Sequence, residues 1–332
     1  MKEKSEGVVE VKKFFARCIA IGAAIACVAG LVGCGGKERL MMGTGGTAGT
    51  YYAYGGVLAQ YMTNYAGVKV TAVSTDASKA NIESIHDGDY QLGFTQSDVM
   101  QYGWDGSKAF ESEGAMQDFR VLGALYPETV QLITMDDSIK DVSQLKGKSV
   151  SIGAPGSGVY FNALDVLDAA GLSVDDIKPQ YQSFEDSKEA LKDGKIAAAC
   201  IVAGAPTTAI TELATTNGVS LIPISGDFRD KILEADPYYT ALTIPAGTYP
   251  KQDEDIETIT VKAVMIVDKN LSEDLVYKMT AAIFDHKDDI AAENAKGELL
   301  SLEEATEGIQ LPFHVGAARY YEENGITVES EK

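Results

Sequence analysis

Two similar α/β lobes facing one cleft are the fold class this sequence predicts, and three observations predict it. A strand, a glycine-rich loop and a helix occur in that order twice. The first set is a strand over 39–42, the loop Gly43-Thr44-Gly45-Gly46-Thr47-Ala48 and a helix over 50–65. The second is a strand over 148–152, the loop Gly153-Ala154-Pro155-Gly156-Ser157-Gly158 and an amphipathic helix over 159–170, stopped by Gly171. Each set is followed by a helix tail that ends at Asp-Gly with a strand starting at once, Asp87-Gly88 in one and Asp193-Gly194 in the other. The offsets nearly agree, 110 between Gly43 and Gly153 and 106 between Gly88 and Gly194. Such a period marks one α/β plan used twice.

Upstream of these units, Lys2, Lys4, Lys12, Lys13 and Arg17 form a positive leader. An apolar run over 19–32 follows, the length of a signal-peptide core and short for a membrane span. It ends in Leu31-Val32-Gly33-Cys34, followed by Gly35-Gly36, which resembles a bacterial lipobox. The expectation is a signal peptide over 1–33, lipidation at Cys34 and a short tether over 34–39. The protein would then be extracytoplasmic and held to the membrane by lipid alone.

Processing also sets charge and redox chemistry. The chain carries −21, and loss of residues 1–33 leaves 23 basic against 46 acidic residues. So acidic a surface disfavours nucleic acid and anionic lipid as partners. Of the four cysteines only Cys34 and Cys200 remain, so no disulfide is expected. Cys200 sits in the apolar run Ile196-Ala197-Ala198-Ala199-Cys200-Ile201-Val202 and reads as a small buried hydrophobe.

The first loop also fits G-x-G-x-x-A, the dinucleotide fingerprint, with Asp76 after a second strand. Export argues against that reading, because few enzymes outside the cytoplasm have a nicotinamide pool. No lysine follows either loop as a P-loop requires. In an open α/β sheet, ligands bind beyond the C-terminal strand ends. Two facing lobes would aim two helix N-termini into one cleft, a setting for an anionic or strongly polar ligand. Thr44, Thr47, Thr50, Ser157 and the amides of Gly45, Gly46, Gly156 and Gly158 would donate hydrogen bonds, and Tyr51 would reach the same cleft.

Enzyme chemistry is thin. His86, His286 and His314 lie far apart, with no metal-ligand spacing, and there is no G-x-S-x-G elbow. The acidic clusters at 136–137, 175–176 and 253–255 lack the alternation of a calcium loop. No metal and no cofactor is expected.

The opening Gly-Thr-Gly-Gly-Thr-Ala-Gly-Thr-Tyr-Tyr, behind a lipobox, resembles the TAXI family of TRAP-transporter solute receptors. So do Gln96-Ser97-Asp98, Leu125-Tyr126-Pro127-Glu128, the second glycine loop and Val202-Ala203-Gly204-Ala205-Pro206, in consistent order from about residue 40 to 326. Val159 departs from the pattern, standing where a threonine would be expected. The resemblance implies a type II periplasmic-binding-protein fold. A segment over 121–128 that approaches the cleft, one over 130–135 that leads onward and an alternating returning strand over 258–267 put lobe 1 over 40–135 and 245–332 and lobe 2 over 136–244. The resemblance implies ligand contacts at Gln96, Ser97, Tyr126, Glu128, Val159, Ala203, Gly204 and Pro206. It also implies a monomeric receptor, not an enzyme, that captures a small carboxylate or glutamate-like amino acid for a TRAP-type membrane permease. An exported enzyme or sensor subunit on the same scaffold is the alternative reading.

Overall fold

β1 (Arg39–Gly43) opens the first half, and in the computed structural model, which describes residues 37–331, it begins a recurring βαβ plan. The leader, Cys34 and the start of the tether lie outside the described residues. α1 (Thr50–Tyr65) follows, burying Tyr51, Tyr54, Leu58, Tyr61 and Met62 at helical spacing. Each side chain of that size contributes about 1.5–3 kcal/mol when fully buried. Then come β2 (Lys69–Val73), α2 (Ser78–His86), β3 (Leu92–Gln96) and α3 (Ser97–Asp105). The long β4 (Phe119–Thr134) leads to the second half.

That half repeats the plan with β5 (Ser149–Ser151), α4 (Gly158–Ala169), β6 (Lys178–Gln180), α5 (Phe184–Lys192) and β7 (Ala198–Ala203). It continues through α6 (Thr208–Thr216), β8 (Ser220–Ile222), α7 (Gly226–Ala235) and β9 (Thr240–Ile244). β10 (Ile256–Asp268) runs back to the first half. There α8 (Glu273–Phe284), α9 (Lys287–Glu293), α10 (Leu302–Thr306), β11 (Phe313–His314), α11 (Val315–Glu323) and β12 (Ser330–Glu331) close the chain. α8 packs on α1 and α11.

The pairing makes the repeat explicit. β2, β1 and β3 are parallel in that order, and β6, β5 and β7 are parallel in the same order. In each half the next strand is antiparallel and comes from the other crossing segment. β10 pairs with β3, and β4 pairs with β7. Both Asp-Gly pairs stop their helices, with Gly88 at φ +81° and Gly194 at φ +66° after α2 and α5, but three residues separate each from its strand, which begins at Leu92 and at Ala198.

Another expectation needs adjustment. The segments expected over 121–128 and 130–135 are one strand, β4, continuous through Thr129, which pairs with Thr260 on one side and Ala203 on the other. Proline has no N–H to give to a ladder and sits where pairing is already irregular. Here Pro127 lies opposite Lys262, and Leu125 is the extra residue of a register shift between Ala263 and Val264. The apolar packing changes over at the same place. One cluster takes β4 up to Tyr126 and β10 from Ala263, and the others take β4 from Val130 and β10 up to Val261. The changeover thus falls inside both crossing strands, several residues before 135 and well after 245.

Candidate ligand-binding cleft

Where the halves meet lies a cavity of about 80 Å³. The first half contributes Gly45, Gly46, Gly49, Thr50 and Tyr51 from the start of α1, and Thr75, Asp76, Ala77 and Ser78 from the corner before α2. Gln96 at the end of β3 and Glu128 in β4 complete that side. The second half contributes Ala154, Ser157, Gly158 and Val159 around the start of α4, and Gln182, Ser183 and Phe184 before α5. Val202 and Ala203 at the end of β7 close the wall. No lysine or arginine lines it.

The first loop is fastened from beneath. Asn81, fully buried in α2, donates to the Thr44 and Phe94 carbonyls at 2.7 and 2.8 Å and accepts from the Thr75 hydroxyl at 2.7 Å. Thr44 itself turns inward, and its hydroxyl donates to the Val73 carbonyl at 2.5 Å. Such a buried network fixes the loop, since each polar group would cost about 1–3 kcal/mol if left unmade.

Three helices begin at the cavity without a side-chain cap. The residues before them are Gly49 for α1, Ala77 for α2 and Ser157 for α4, and none makes a capping hydrogen bond. Ser157 instead donates back to the Ala154 carbonyl at 2.7 Å. In α2 the Lys79 and Ala80 amides are taken by the Gly156 carbonyl of the facing half. The uncapped first turns of α1 and α4 carry the positive end of the helix dipole, and a carboxylate is a natural partner for them. α5 differs, because Ser183 caps it by accepting from the Asp186 amide.

Glu128 supplies the opposite charge. It is 2% exposed, and burial pushes its carboxyl up to about 8. The Tyr126 hydroxyl, the Lys296 ammonium and the Tyr51 hydroxyl pull the other way. Yet Glu128 Oε1 and the two tyrosine hydroxyls make no well-formed hydrogen bond, and the buried Oε1 atoms of Gln96 and Gln182 also lack a donor. Lys296 approaches from the first half, and its ammonium is bonded to the Ala205 carbonyl of the second. Burial lowers its basicity while Glu128 raises it. The cavity therefore offers helix amides at one set of positions and donor-seeking oxygens at another. A small solute bearing both a carboxylate and an ammonium satisfies both sets.

Of the residues singled out in the sequence, Gly45, Gly46, Thr50, Tyr51, Gln96, Glu128, Ser157, Gly158, Val159 and Ala203 line this cavity. Others serve the frame around it. Thr47 is exposed on the loop. Ser97 accepts from the Lys262 amide at 3.1 Å, tying α3 to β10. Tyr126 packs edge-on to Tyr54 at 5.7 Å. Gly156 lends its carbonyl to the Lys79 and Ala80 amides of α2 at 3.1 and 3.4 Å. Gly204 accepts from the Thr50 hydroxyl at 3.2 Å, and Pro206 is exposed beyond it. The sequence reading missed the corner 75–78 and the segment 182–184. The repeat was the signal for them, because each follows the second strand of its half.

None of the three histidines reaches the cavity. His86 meets Asp118 at 2.5 Å on the surface, and His286 stacks on Tyr65 with ring centres 3.7 Å apart. His314 is fully buried and accepts from the Gly316 amide at 3.1 Å. Cys200 is buried, and burial pushes its thiol up to about 12, which makes it unreactive. Among the described residues no acid, histidine or cysteine cluster could hold a metal ion, and no helix is long and apolar enough to cross a membrane.

Solved structures share this architecture. PhnD1 from Prochlorococcus marinus (MIT 9301), solved with methylphosphonate, is 10% identical with a TM-score of 0.52, over 79% of this chain and 89% of that one. A binding protein component of an ABC phosphonate transporter from Pseudomonas aeruginosa is 10% identical with a TM-score of 0.51, over 78% and 79%. A protein from Bordetella bronchiseptica RB50 is 15% identical with a TM-score of 0.51, over 80% and 78%. At such identities the likeness is one of fold, and with the strand order above it gives a type II periplasmic-binding-protein fold with a cleft between two α/β lobes. The family profile for the NMT1-like family matches residues 42–325, and the chain belongs to that family.

Proposed function

We propose that the protein is an extracytoplasmic solute receptor of the TAXI class, lipid-anchored at Cys34, which delivers its ligand to a TRAP-type permease. The solute is a small amino acid or similar zwitterion, glutamate-like in type, held between the lobes by a monomeric receptor without chemical change. One observation carries this reading. Uncapped helix N-termini from both lobes and a buried glutamate with unpartnered oxygens share one cavity that contains no lysine or arginine. The helix amides hold the carboxylate, and Glu128 with Gln96 and Gln182 holds the ammonium. A plain dicarboxylate fits less well, because it would place a second anion against Glu128 with no cation in the lining to offset it.

The fold comparisons support a binding protein, and the two phosphonate-associated proteins are named for ligands or transporters of anions. The TAXI assignment rests on the loop motifs. It is tested by releasing and identifying, by mass spectrometry, the small molecule that accompanies the purified protein. A zwitterionic carboxylate, recovered unchanged after incubation and rebinding saturably, is the expected result. Turnover of the ligand, or recovery of a nucleotide or phosphonate, would overturn the reading.

A further inference from the structure

A second polar seam joins the lobes outside the cavity lining. Asn162 of α4 donates from Nδ2 to Asp98 Oδ2 of α3 at 2.8 Å and to the Tyr239 hydroxyl at 2.7 Å. Tyr239 donates onward to Asp165 Oδ2 at 2.8 Å. Alongside, Tyr102 donates to Asp236 Oδ2 at 2.8 Å, and Lys108 reaches both the Tyr102 hydroxyl at 2.8 Å and Asp236 at 3.3 Å. Asp98, Tyr102 and Lys108 belong to the first lobe, and the other four residues to the second.

The bonding at the centre of this seam is one hydrogen short. Asp98 and Asn162 are both fully buried, both Asn162 donor hydrogens are used, and Asp98 Oδ1 and Asn162 Oδ1 each lack a donor. An ionised carboxylate facing an amide in this way leaves two acceptors orphaned in a dry interface. A single proton on Asp98 removes both defects, because the carboxyl then donates to the amide oxygen while accepting from the amide N–H. We infer that Asp98 is a proton-binding site of the closed receptor, and that the cyclic acid–amide pair it forms with Asn162 latches the two lobes together. This rests on the lobes separating and not on the identity of the solute.

The electrostatics agree. Burial is the main cause that pushes the Asp98 carboxyl up to about 7, and the charges of Asp236 and Asp165 add to it. The Val99 and Asn162 amides act in the opposite direction. Tyr102, Tyr238 and Tyr239 face it as neutral phenols, each pushed upward. Lys108 spends its charge on Asp236 and Asp165, and Glu128 and Tyr51 feel Asp98 from the cavity side. The sign follows from the raised value in the closed state. Closure takes up a proton, so its advantage is complete below the ordinary carboxylate range and is lost as pH rises to about 7, with no further loss above.

The test places a pair of distance-reporting labels at the exposed Gln60 and Lys195 and follows the ligand-free closed fraction from about pH 5 to about pH 8. The closed-to-open ratio should rise as pH falls through that window, by up to about tenfold per pH unit for each of Asp98 and Glu128. Asp98→Asn, which supplies the missing hydrogen as an amide, should hold the lobes closed and reduce the slope by one proton. At about pH 6 both Asp98 and Glu128 are protonated, so the protonated-carboxyl infrared absorption should lose one of two components in Asp98→Asn and keep the one that Glu128→Gln removes. Glu128 is also buried and titrates with closure, so the inference stands on the difference between wild type and Asp98→Asn. An unchanged slope in that variant, a protonated-carboxyl absorption that it leaves undiminished, or a closed fraction independent of pH would each overturn the latch.

Discussion

The two glycine-rich loops look alike in sequence and use glycine for different physical reasons. Loop 43–50 has no glycine in the left-handed region, and a Cβ on Gly45 would make only ordinary contact with Tyr51 at 3.4 Å. Loop 153–158 holds Gly153 at φ +92° and Gly156 at φ +83°, where other residues are strained. Its last glycine, Gly158, lies directly against the Gln96 side chain of the opposite lobe, and a Cβ there would collide with Gln96 Oε1. At Gly45 and Gly46 the first loop is thus open and kept clear for a ligand, whereas at Gly43 a Cβ would meet the buried Asn81 side chain. The second is bent to carry one lobe against the other.

That contrast sets the order of effects. The largest should come from Gly158→Ala, which drives a methyl into Gln96 across the interface. Overpacking of this kind costs about 1–3 kcal/mol, and calorimetry should show affinity falling up to about a hundredfold. If affinity is unchanged, the Gln96 side chain swings aside at no cost or the lobes do not close to the separation seen here.

Glu128→Gln comes next, because it removes the charge proposed to meet the ligand ammonium. A hydrogen bond to a charged group is worth about 1.5–3 kcal/mol, roughly ten- to a hundredfold in affinity. The same residue sets a pH dependence. Binding an ammonium needs ionised Glu128, so wild-type affinity should weaken as pH drops below about 8, and the variant should lose that slope. A slope that persists in the variant would assign the titration to another group.

Gly156→Ala and Gly45→Ala then separate the two uses of glycine. At Gly156 the positive φ costs about 1–2 kcal/mol in any non-glycine residue, so thermal unfolding should shift downward. Gly45→Ala should leave unfolding unchanged and reduce affinity alone, through the ligand. Equal thermal shifts would remove the distinction. The smallest change is Thr50→Val, which deletes one hydrogen bond to the Gly204 carbonyl of the facing lobe. About 0.5–1.5 kcal/mol is at stake there, read as a threefold to tenfold loss of affinity.

Much of this arrangement was legible before the fold. Both strand–loop–helix units, the Asp-Gly stops and the returning strand follow from glycine chemistry and hydrophobic period, which are local signals. α1 occupies 50–65 as read, and the returning strand extends the expected 258–267 by two residues at its start and one at its end. The continuity of β4 across Thr129 was not legible, because the residues that pair with Thr129, Ala203 and Thr260, lie far along the chain. Gln182 and Phe184 carry no local signal, being ordinary residues after a three-residue strand, and only the repeat marks the place from which the pairing of β6 with β5 brings them to the cavity. Thr44 shows the converse. Its place in the motif suggested a ligand contact, but its hydroxyl is committed to the Val73 carbonyl.

The central claim is that helix amides, without lysine or arginine, hold the carboxylate while Glu128 holds the ammonium. Titration calorimetry with glutamate, its α-amide and 2-oxoglutarate tests both ends at once, with glutamine reporting on the side chain. The account predicts that capping the α-carboxylate and removing the α-ammonium each weaken binding by about tenfold or more, and that glutamine is affected less than either. Equal binding of glutamate and its α-amide, or tighter binding of 2-oxoglutarate, would contradict it.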